Sequence, residues 1–217
     1  MKYNTVLFDL DGTLIDSLED LKNSVNFALE SYSFPKRTYD EIKSFVGNGV
    51  ARLVNLSAPP QTDEKVRAEL LSVFKAHYME HSCVYTAPYQ GITHLLSLLK
   101  QSGIKTAVVT NKMQPAAVEI IRNFFGDSID IVIGQVDGLA QKPEPDGVWR
   151  AIEELGSSKK DSVYVGDSDV DCLTAKNSGL PIIGCTWGFR GRQVLAENGA
   201  DYIVDTPAEI FNIIMGK

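Results

Sequence analysis

Acidic residues stand directly behind a short apolar run near the beginning of the chain, in the segment VLFDLDGTLIDS at positions 6–17. Asp9 and Asp11 follow the apolar run 6–8, and Gly12 comes next, which permits a tight turn of the backbone. An Asp-Gly pair alone is a common hairpin turn. Two carboxylates on one loop are also what nucleophilic and acid–base chemistry require, so the chemistry depends on which other side chains the fold brings to this loop.

Three further polar clusters follow apolar runs later in the chain. They contain Thr110 and Asn111, then Lys142 in QKPEP, then Asp167 and Asp171 in YVGDSDVD. Carboxylates that are brought together repel one another unless a cation joins them, and oxygen ligands favour a hard ion such as Mg²⁺. A hydroxyl group and an ammonium group would then bind an anion on the far side of the metal. A phosphoryl group is the substrate part that uses both kinds of partner.

These side chains can meet only if the fold brings strand ends together. From position 87 onward, helical patterns alternate with short apolar runs at 104–109, 129–133, 162–165 and 181–185. This alternation predicts an α/β fold, with a three-layer Rossmann-like parallel sheet whose faces are covered by helices. In such a sheet, the loops that leave the carboxyl ends of the strands line one crevice.

A helical segment interrupts the alternation after the first strand. Residues 16–85 contain amphipathic helical patterns and no convincing strand, and the first pattern begins behind a predicted Ser17 cap with Asp20 three residues later. The predicted organisation is an α/β core formed by 1–15 and 86–217, with a small helical domain inserted at 16–85.

Composition excludes several classes of protein. The formal net charge of −7 argues against a nucleic-acid partner. The three cysteines are widely spaced, which favours neither a disulfide framework nor a structural zinc site and fits a reducing cytosol. No apolar segment approaches the length of a signal-peptide core or a membrane span. We therefore expect a cytoplasmic protein with no membrane partner.

Together, DxDGT, Thr-Asn, Lys-Pro and GDSxxD resemble the four motifs of the haloacid dehalogenase superfamily, in its phosphatase branch. The resemblance covers essentially the whole chain, in the right order. The segments DLDGTLIDS, FVGNGV, KPEPDGV and GDSDVD most resemble phosphoglycolate phosphatases. The helical insert then corresponds to the cap of that family, which we expect to close over bound substrate.

The resemblance implies a role for each matched residue. Asp9 would be the nucleophile that forms an aspartyl-phosphate, and Asp11 would protonate the leaving oxygen and later deprotonate the water. The implied Mg²⁺ site comprises Asp9, the backbone carbonyl of Asp11, Asp167 and Asp171, the last of which would orient a metal-bound water or Lys142. The implied phosphate ligands, of which the first and last also assist catalysis, are Thr110, the amide of Asn111 and Lys142.

Two further segments have alternative interpretations. In relatives of this type the cap segment GNGVAR faces the active site, which makes Gly47, Asn48 and Arg52 candidates for substrate binding. A plain turn between helices with a surface arginine is the alternative. In TWGFRGR, Trp187 and Phe189 either line the rim of the crevice or pack the last helix against the core.

The expected function is a Mg²⁺-dependent phosphomonoesterase that acts on a small phosphorylated metabolite, as a monomer or a homodimer. The first candidate substrate is 2-phosphoglycolate. A phosphotransferase such as a sugar-phosphate mutase is the alternative within the same superfamily. A phosphate-binding or receiver-like module is less compatible with Asp11, because an acid–base group beside a phosphoaspartate shortens its lifetime.

Overall fold

The computed structural model describes all 217 residues of the chain, which fold into two compact units. The first unit consists of Met1–Ile15 and Pro88–Lys217, and the second of Asp16–Ala87. None of the helices combines the length and the apolar character needed to cross a membrane. The assignment of a catalytic role to one unit and a capping role to the other stays a prediction.

The second unit is built from helices. These are α1 (Leu18–Glu30), α2 (Tyr39–Phe45), α3 (Gly49–Ser57) and α4 (Glu64–His81). The predicted capping of α1 by the Ser17 side chain is wrong, because Ser17 makes no such hydrogen bond. The Asp20 carboxylate instead accepts hydrogen bonds from the backbone N–H groups of Tyr85 and Thr86 and from the Thr86 hydroxyl. Asp20 is buried, and its hydrogen bonds fix the segment around Tyr85 and Thr86, where the chain leaves this unit.

A parallel sheet of six strands forms the centre of the first unit. Its strands are β1 (Thr5–Phe8), β4 (Lys105–Met113), β5 (Ile131–Gln135), β6 (Ser162–Gly166), β7 (Ile182–Cys185) and β8 (Tyr202–Val204), in the order β5-β4-β1-β6-β7-β8. Two-residue strands, β2 (Ile15–Asp16) and β3 (Ala87–Pro88), pair separately where the chain passes between the units. All residues of β1 are buried, as expected for a strand inside a sheet flanked by helices. The predicted α/β class is confirmed.

Six helices belong to the first unit; α5 precedes β4, and each of the other five follows one strand of the sheet. They are α5 (Ile92–Gln101), α6 (Gln114–Phe124), α7 (Asp146–Glu154), α8 (Asp169–Ser178), α9 (Gly191–Glu197) and α10 (Pro207–Met215). Prolines occupy the first turns of α6 and α10, where the missing N–H group has no helical partner to lose. Gly179 ends α8 in the left-handed conformation.

The end of β4 differs from the sequence-based expectation. The apolar run predicts a strand that ends near 109, with Thr110 and Asn111 in the following loop. In the structure β4 continues to Met113, and its pairing with β5 shifts register between Val109 and Met113. Such irregularities often redirect side chains near functional sites. Here the irregular part of the strand contains the buried polar residues Thr110, Asn111 and Lys112.

Candidate active site

The carboxyl ends of β1, β4 and β6 meet at the centre of the sheet, because β1 lies between the other two strands. Asp9 follows β1, and its backbone N–H donates to Val165 O at 2.9 Å, which continues the ladder between β1 and β6. Thr110 lies near the end of β4, and Asp167 follows β6. Strand order reverses at β1, which is the place where open parallel sheets bind ligands.

The loop after β1 is a compact turn that requires glycine at position 12. The N–H groups of Leu14 and Gly12 donate to Leu10 O and Ile15 O, both at 2.9 Å. Gly12 has a φ of +89°, and a Cβ atom there would lie 2.5 Å from Oδ2 of Asp167. Both the backbone conformation and the close approach of the carboxylate therefore exclude a side chain.

Three buried carboxylates form the centre of the site. One oxygen each of Asp9, Asp167 and Asp171 lies within 4.8 Å of the others. Burial, and then the charge of Asp171, raises the pKa of Asp9 to about 7, although Lys142 opposes the shift. Burial, followed by the charges of Asp171 and Asp9, raises the pKa of Asp167 well above its usual range. The cluster therefore favours bound positive charge.

Lys142 supplies part of that charge. Its Nζ lies 2.8 Å from Oδ1 of Asp9 and 2.8 Å from Oδ1 of Asp171, and its side chain is only 4% exposed. Burial alone would lower the pKa of Lys142, but the charges of Asp171 and Asp9 raise it well above its usual range. The ammonium group thus stays charged beside the predicted nucleophile.

The predicted phosphate ligands of β4 have different partners. Asn111 donates through Nδ2 to Lys142 O at 3.0 Å and accepts from Lys142 N at 2.8 Å, so its side-chain amide pairs with this backbone as another strand would. The Thr110 hydroxyl accepts from Lys112 N at 3.2 Å and retains its proton for donation. Asn111 therefore positions Lys142, while its contact with phosphate stays a prediction.

Asp171 is saturated with hydrogen-bond donors. Its Oδ2 accepts from Asp167 N at 3.1 Å, from Ser168 N at 3.1 Å and from Ser168 Oγ at 2.6 Å, and its Oδ1 accepts from Lys142. A Cβ atom on Gly166 would lie 2.3 Å from Cβ of Asp171, so the strand end is glycine to admit this side chain. The geometry places Asp171 on Lys142, and its predicted metal contact stays a prediction.

The loop after β7 touches the site in a way that neither sequence-based alternative describes. Phe189 N donates to Oδ2 of Asp167 at 2.7 Å, and Trp187 Nε1 donates to Thr13 O at 3.0 Å. A Cβ atom on Gly188 would lie 2.3 Å from Cβ of Asp167. The loop therefore holds Asp167 through the backbone N–H of Phe189 and the turn after β1 through the Trp187 side chain, and the first of these contacts is one that residue type alone does not reveal.

A second buried lysine, Lys112, also lies in the site and has no counterpart among the predicted residues. Its Nζ lies 2.8 Å from Oδ1 of Asp11, with side-chain exposures of 2% and 15% respectively. The position directly after Thr110 and Asn111 is the only signal in the sequence that connects this lysine with the site.

The three cap candidates belong to the second unit. Gly47 and Asn48 lie in the turn between α2 and α3, where Gly47 has a φ of +118°, and Arg52 lies exposed in α3. The structure thus shows a turn that needs glycine, followed by an exposed cation. Their contact with substrate stays a prediction.

The donor set fits a divalent cation. Four carboxylates and two ammonium groups meet here: Asp9, Asp11, Asp167, Asp171, Lys112 and Lys142. In their ordinary ionisation states they leave two net negative charges. Oxygen donors with this residual charge suit a hard divalent ion such as Mg²⁺.

Comparisons with known proteins agree with this geometry. The family model for haloacid dehalogenase-like hydrolases matches residues 6–185. A phosphoglycolate phosphatase of Aquifex aeolicus is 32% identical, over 96% of this chain and 95% of its own length. Pyrophosphatase PpaX of Halalkalibacterium halodurans is 28% identical, over 99% and 98%. A crystal structure from Lactobacillus delbrueckii subsp. bulgaricus, 33% identical, matches 100% of both chains with a TM-score of 0.93. The chain belongs to the haloacid dehalogenase-like hydrolase family, and it is a phosphatase.

Proposed function

We propose that this phosphatase is a Mg²⁺-dependent phosphomonoesterase that works through an aspartyl-phosphate and prefers 2-phosphoglycolate. The observation that carries the mechanism is the pairing of two differently placed acids on one turn. Asp9 lies in the buried cluster against Lys142, whereas Asp11 lies outside that cluster against Lys112. Different surroundings suit one acid to attack phosphorus and the other to transfer protons.

In the first step, a carboxylate oxygen of Asp9 attacks phosphorus and the bond to the leaving oxygen breaks. Asp11 donates its proton to that oxygen, which leaves as an alcohol. Lys142 and the Thr110 hydroxyl bind oxygens of the transferring group and offset its charge. The nucleophile must be deprotonated, and its raised pKa of about 7 means that a nearby positive charge favours the reactive form.

In the second step, water attacks phosphorus while Asp11 takes up one of its protons. The bond between phosphorus and Asp9 breaks, which releases inorganic phosphate and regenerates both carboxyl groups in their starting states. The same residue therefore serves as acid and then as base, which requires that it stay oriented throughout the cycle.

Mg²⁺ would be held by Asp9, the backbone carbonyl of Asp11 and Asp167, where it would supply charge that stabilises the transferring phosphoryl group. We assign Asp171 a supporting role, because its oxygens already accept four hydrogen bonds from Lys142, Ser168 and the backbone of Asp167. Thr13 and Phe189 N orient Asp167 in the same way, at 3.1 and 2.7 Å.

The choice of 2-phosphoglycolate rests on the relatives named for that activity, and pyrophosphate is the second candidate because of the similarity to PpaX. The cap residues Gly47, Asn48 and Arg52 are proposed to contribute to this choice. The proposal also includes a cytoplasmic location, which fits three free cysteines.

The test measures phosphate release from 2-phosphoglycolate, pyrophosphate, sugar phosphates and nucleotides, with Mg²⁺ or with EDTA. Asp9→Asn should abolish release. Asp169→Asn is the matched control, because Asp169 lies in YVGDSDVD between Asp167 and Asp171, yet its side chain is 45% exposed and lies 3.7 Å from Arg190.

Each outcome addresses a separate part of the proposal. Metal-dependent release with a strong preference for 2-phosphoglycolate supports both mechanism and substrate. Release spread over the panel, or highest with pyrophosphate, would contradict the substrate only. Isomer formation in excess of phosphate release would support a phosphotransferase, and full activity of Asp9→Asn would rule out the aspartyl-phosphate mechanism.

A further inference from the structure

Lys112 is a buried cation that the proposed mechanism does not use. Its side chain is 2% exposed, and its ammonium group lies 2.8 Å from Oδ1 of Asp11. Burying an ammonium group is unfavourable unless it is well paired, and an apolar side chain of similar size often serves stability equally well. Fold stability alone therefore does not explain why this position is a lysine and not an apolar residue.

The position of Lys112 follows from the irregular end of β4. Thr110 and Lys112 are two residues apart, which places them on one side of an extended strand. The hydrogen bond from Lys112 N to Thr110 Oγ1, at 3.2 Å, joins them within the register shift between Val109 and Met113. The same distortion thus presents a hydroxyl and an ammonium group to the site.

The two buried lysines contact different acids. Lys142 lies against Asp9 and Asp171, while Lys112 lies against Asp11. Each of the two carboxyl groups on the turn after β1 therefore has its own ammonium partner, supplied by a different segment of the chain.

We propose that Lys112 is a positioning residue that holds the Asp11 carboxyl group in the orientation needed to protonate the leaving oxygen. This inference rests on the proposed function, because it assigns Asp11 the acid–base role. A carboxyl group turns about its side-chain torsions unless a partner fixes it, and proton transfer requires hydrogen-bond distance to the leaving oxygen. The ammonium group at Oδ1 supplies that partner.

A positioning role predicts a dependence on the leaving group. An alkoxide leaves poorly without a proton, so the release of an alkyl alcohol should depend on Lys112. A nitrophenolate leaves readily without a proton, so its release should not depend on Lys112. A residue that merely supported the fold would slow both reactions alike.

The experiment follows the first turnover by rapid quench, with the full-length enzyme in excess and Mg²⁺ present. The substrates are 2-phosphoglycolate, ethyl phosphate and p-nitrophenyl phosphate. Measuring the first turnover isolates the transfer to Asp9 from the later hydrolysis, in which Asp11 acts as a base. The variants are Lys112→Met, Asp11→Asn and the double variant. Lys105→Met is the control, because Lys105 lies on the same strand and donates to Leu155 O at 2.6 Å.

Lys112→Met should slow the first turnover of both alkyl phosphates by about 10- to 100-fold, part of what a general acid contributes, and that of p-nitrophenyl phosphate by less than about threefold. The double variant should be no slower than Asp11→Asn alone, since the two residues act through one group. Lys105→Met should match the wild type. If Lys112→Met does not fold, Lys112→Gln, which keeps an N–H donor, should show the same pattern more weakly.

Equal slowing of all three substrates would overturn the inference, as would additive losses in the double variant. A loss confined to 2-phosphoglycolate would show instead that Lys112 binds the substrate carboxylate directly. Unchanged rates in Lys112→Met, with an active wild type, would reject this inference alone. A wild type that releases no phosphate would reject the proposed function together with it.

Discussion

Gly188→Ala is expected to inactivate the enzyme by displacing a residue of the proposed metal site. A Cβ atom at position 188 would lie 2.3 Å from Cβ of Asp167 and 2.4 Å from the carbonyl oxygen of Gly12. Ordinary van der Waals contact begins near 3.4 Å, so the loop must separate by about 1.1 Å from Asp167 and by about 1.0 Å from the turn after β1. Asp167 and Gly12 both belong to the site, so the displacement falls on the site itself.

The size of the loss follows from that displacement. A shift of about 1 Å in a catalytic constellation costs on the order of 100-fold in rate, or about 2.7 kcal/mol of transition-state stabilisation. Overpacking of this kind also lowers the free energy of unfolding by about 1–3 kcal/mol. The Mg²⁺ concentration for half-maximal activity should rise as well, because Phe189 N, the neighbour of Gly188, donates to Oδ2 of Asp167.

Gly191→Ala is the control that distinguishes a loss of stability from a displacement of the active site. Gly191 begins α9 three residues later, with a φ of +75° and no atom within 4 Å of an added Cβ. Alanine in this conformation costs about 1–2 kcal/mol of stability without touching the site. The activity of both variants is measured by steady-state kinetics over a range of Mg²⁺ concentrations, and their stability is measured by chemical unfolding. Equal activity losses in the two variants, or wild-type kinetics in Gly188→Ala, would refute the reasoning.

Three further predictions concern charge. Without a divalent cation, the raised pKa of Asp9 means that the free energy of unfolding decreases as the pH rises from about 4 to about 7. Mg²⁺ should therefore raise the melting temperature by at least about 3 °C more at pH 8 than at pH 5. Differential scanning fluorimetry would show this difference. Lys142→Met leaves Asp9 and Asp171 without their shared cation and should lower the free energy of unfolding by about 3–5 kcal/mol in urea titrations. Asp20→Asn should weaken three hydrogen bonds, lower stability by about 1–3 kcal/mol and speed hydrogen exchange at the amide of Thr86.

The sheet and the carboxylate cluster could be predicted because each leaves a local trace in the sequence. Strands buried on both faces appear as short continuous apolar runs, and polar residues that end such runs must meet at one edge of a parallel sheet. Asp9 and Asp167 follow β1 and β6 directly, and the two strands are neighbours. Their convergence is therefore a consequence of topology that the spacing already indicates.

The supporting contacts could not be predicted, because they depend on geometry that residue type does not encode. Phe189 holds Asp167 through a backbone N–H group, which every residue except proline possesses. The side-chain amide of Asn111 pairs with the backbone of Lys142, a partner that residue type does not indicate. Lys112 reaches Asp11 from the part of β4 that shifts register against β5, and that shift leaves no trace in residue type.

These supporting contacts explain how four carboxylates can share one site. Lys142 offsets the repulsion between Asp9 and Asp171, but only where its backbone is held, and Asn111 of β4 holds it there. Because the same irregular strand end also carries Lys112, both buried cations depend on β4 for their placement. Asp9 and Asp11 follow β1, Asp167 follows β6 and Asp171 lies in the first turn of α8, while β4 carries Lys112 and, through Asn111, holds the backbone of Lys142. The pairing of β4, β1 and β6 therefore brings most of these opposite charges to one edge of the sheet. The two negative charges that remain when these groups have their ordinary charges would be available to a divalent cation, as proposed above.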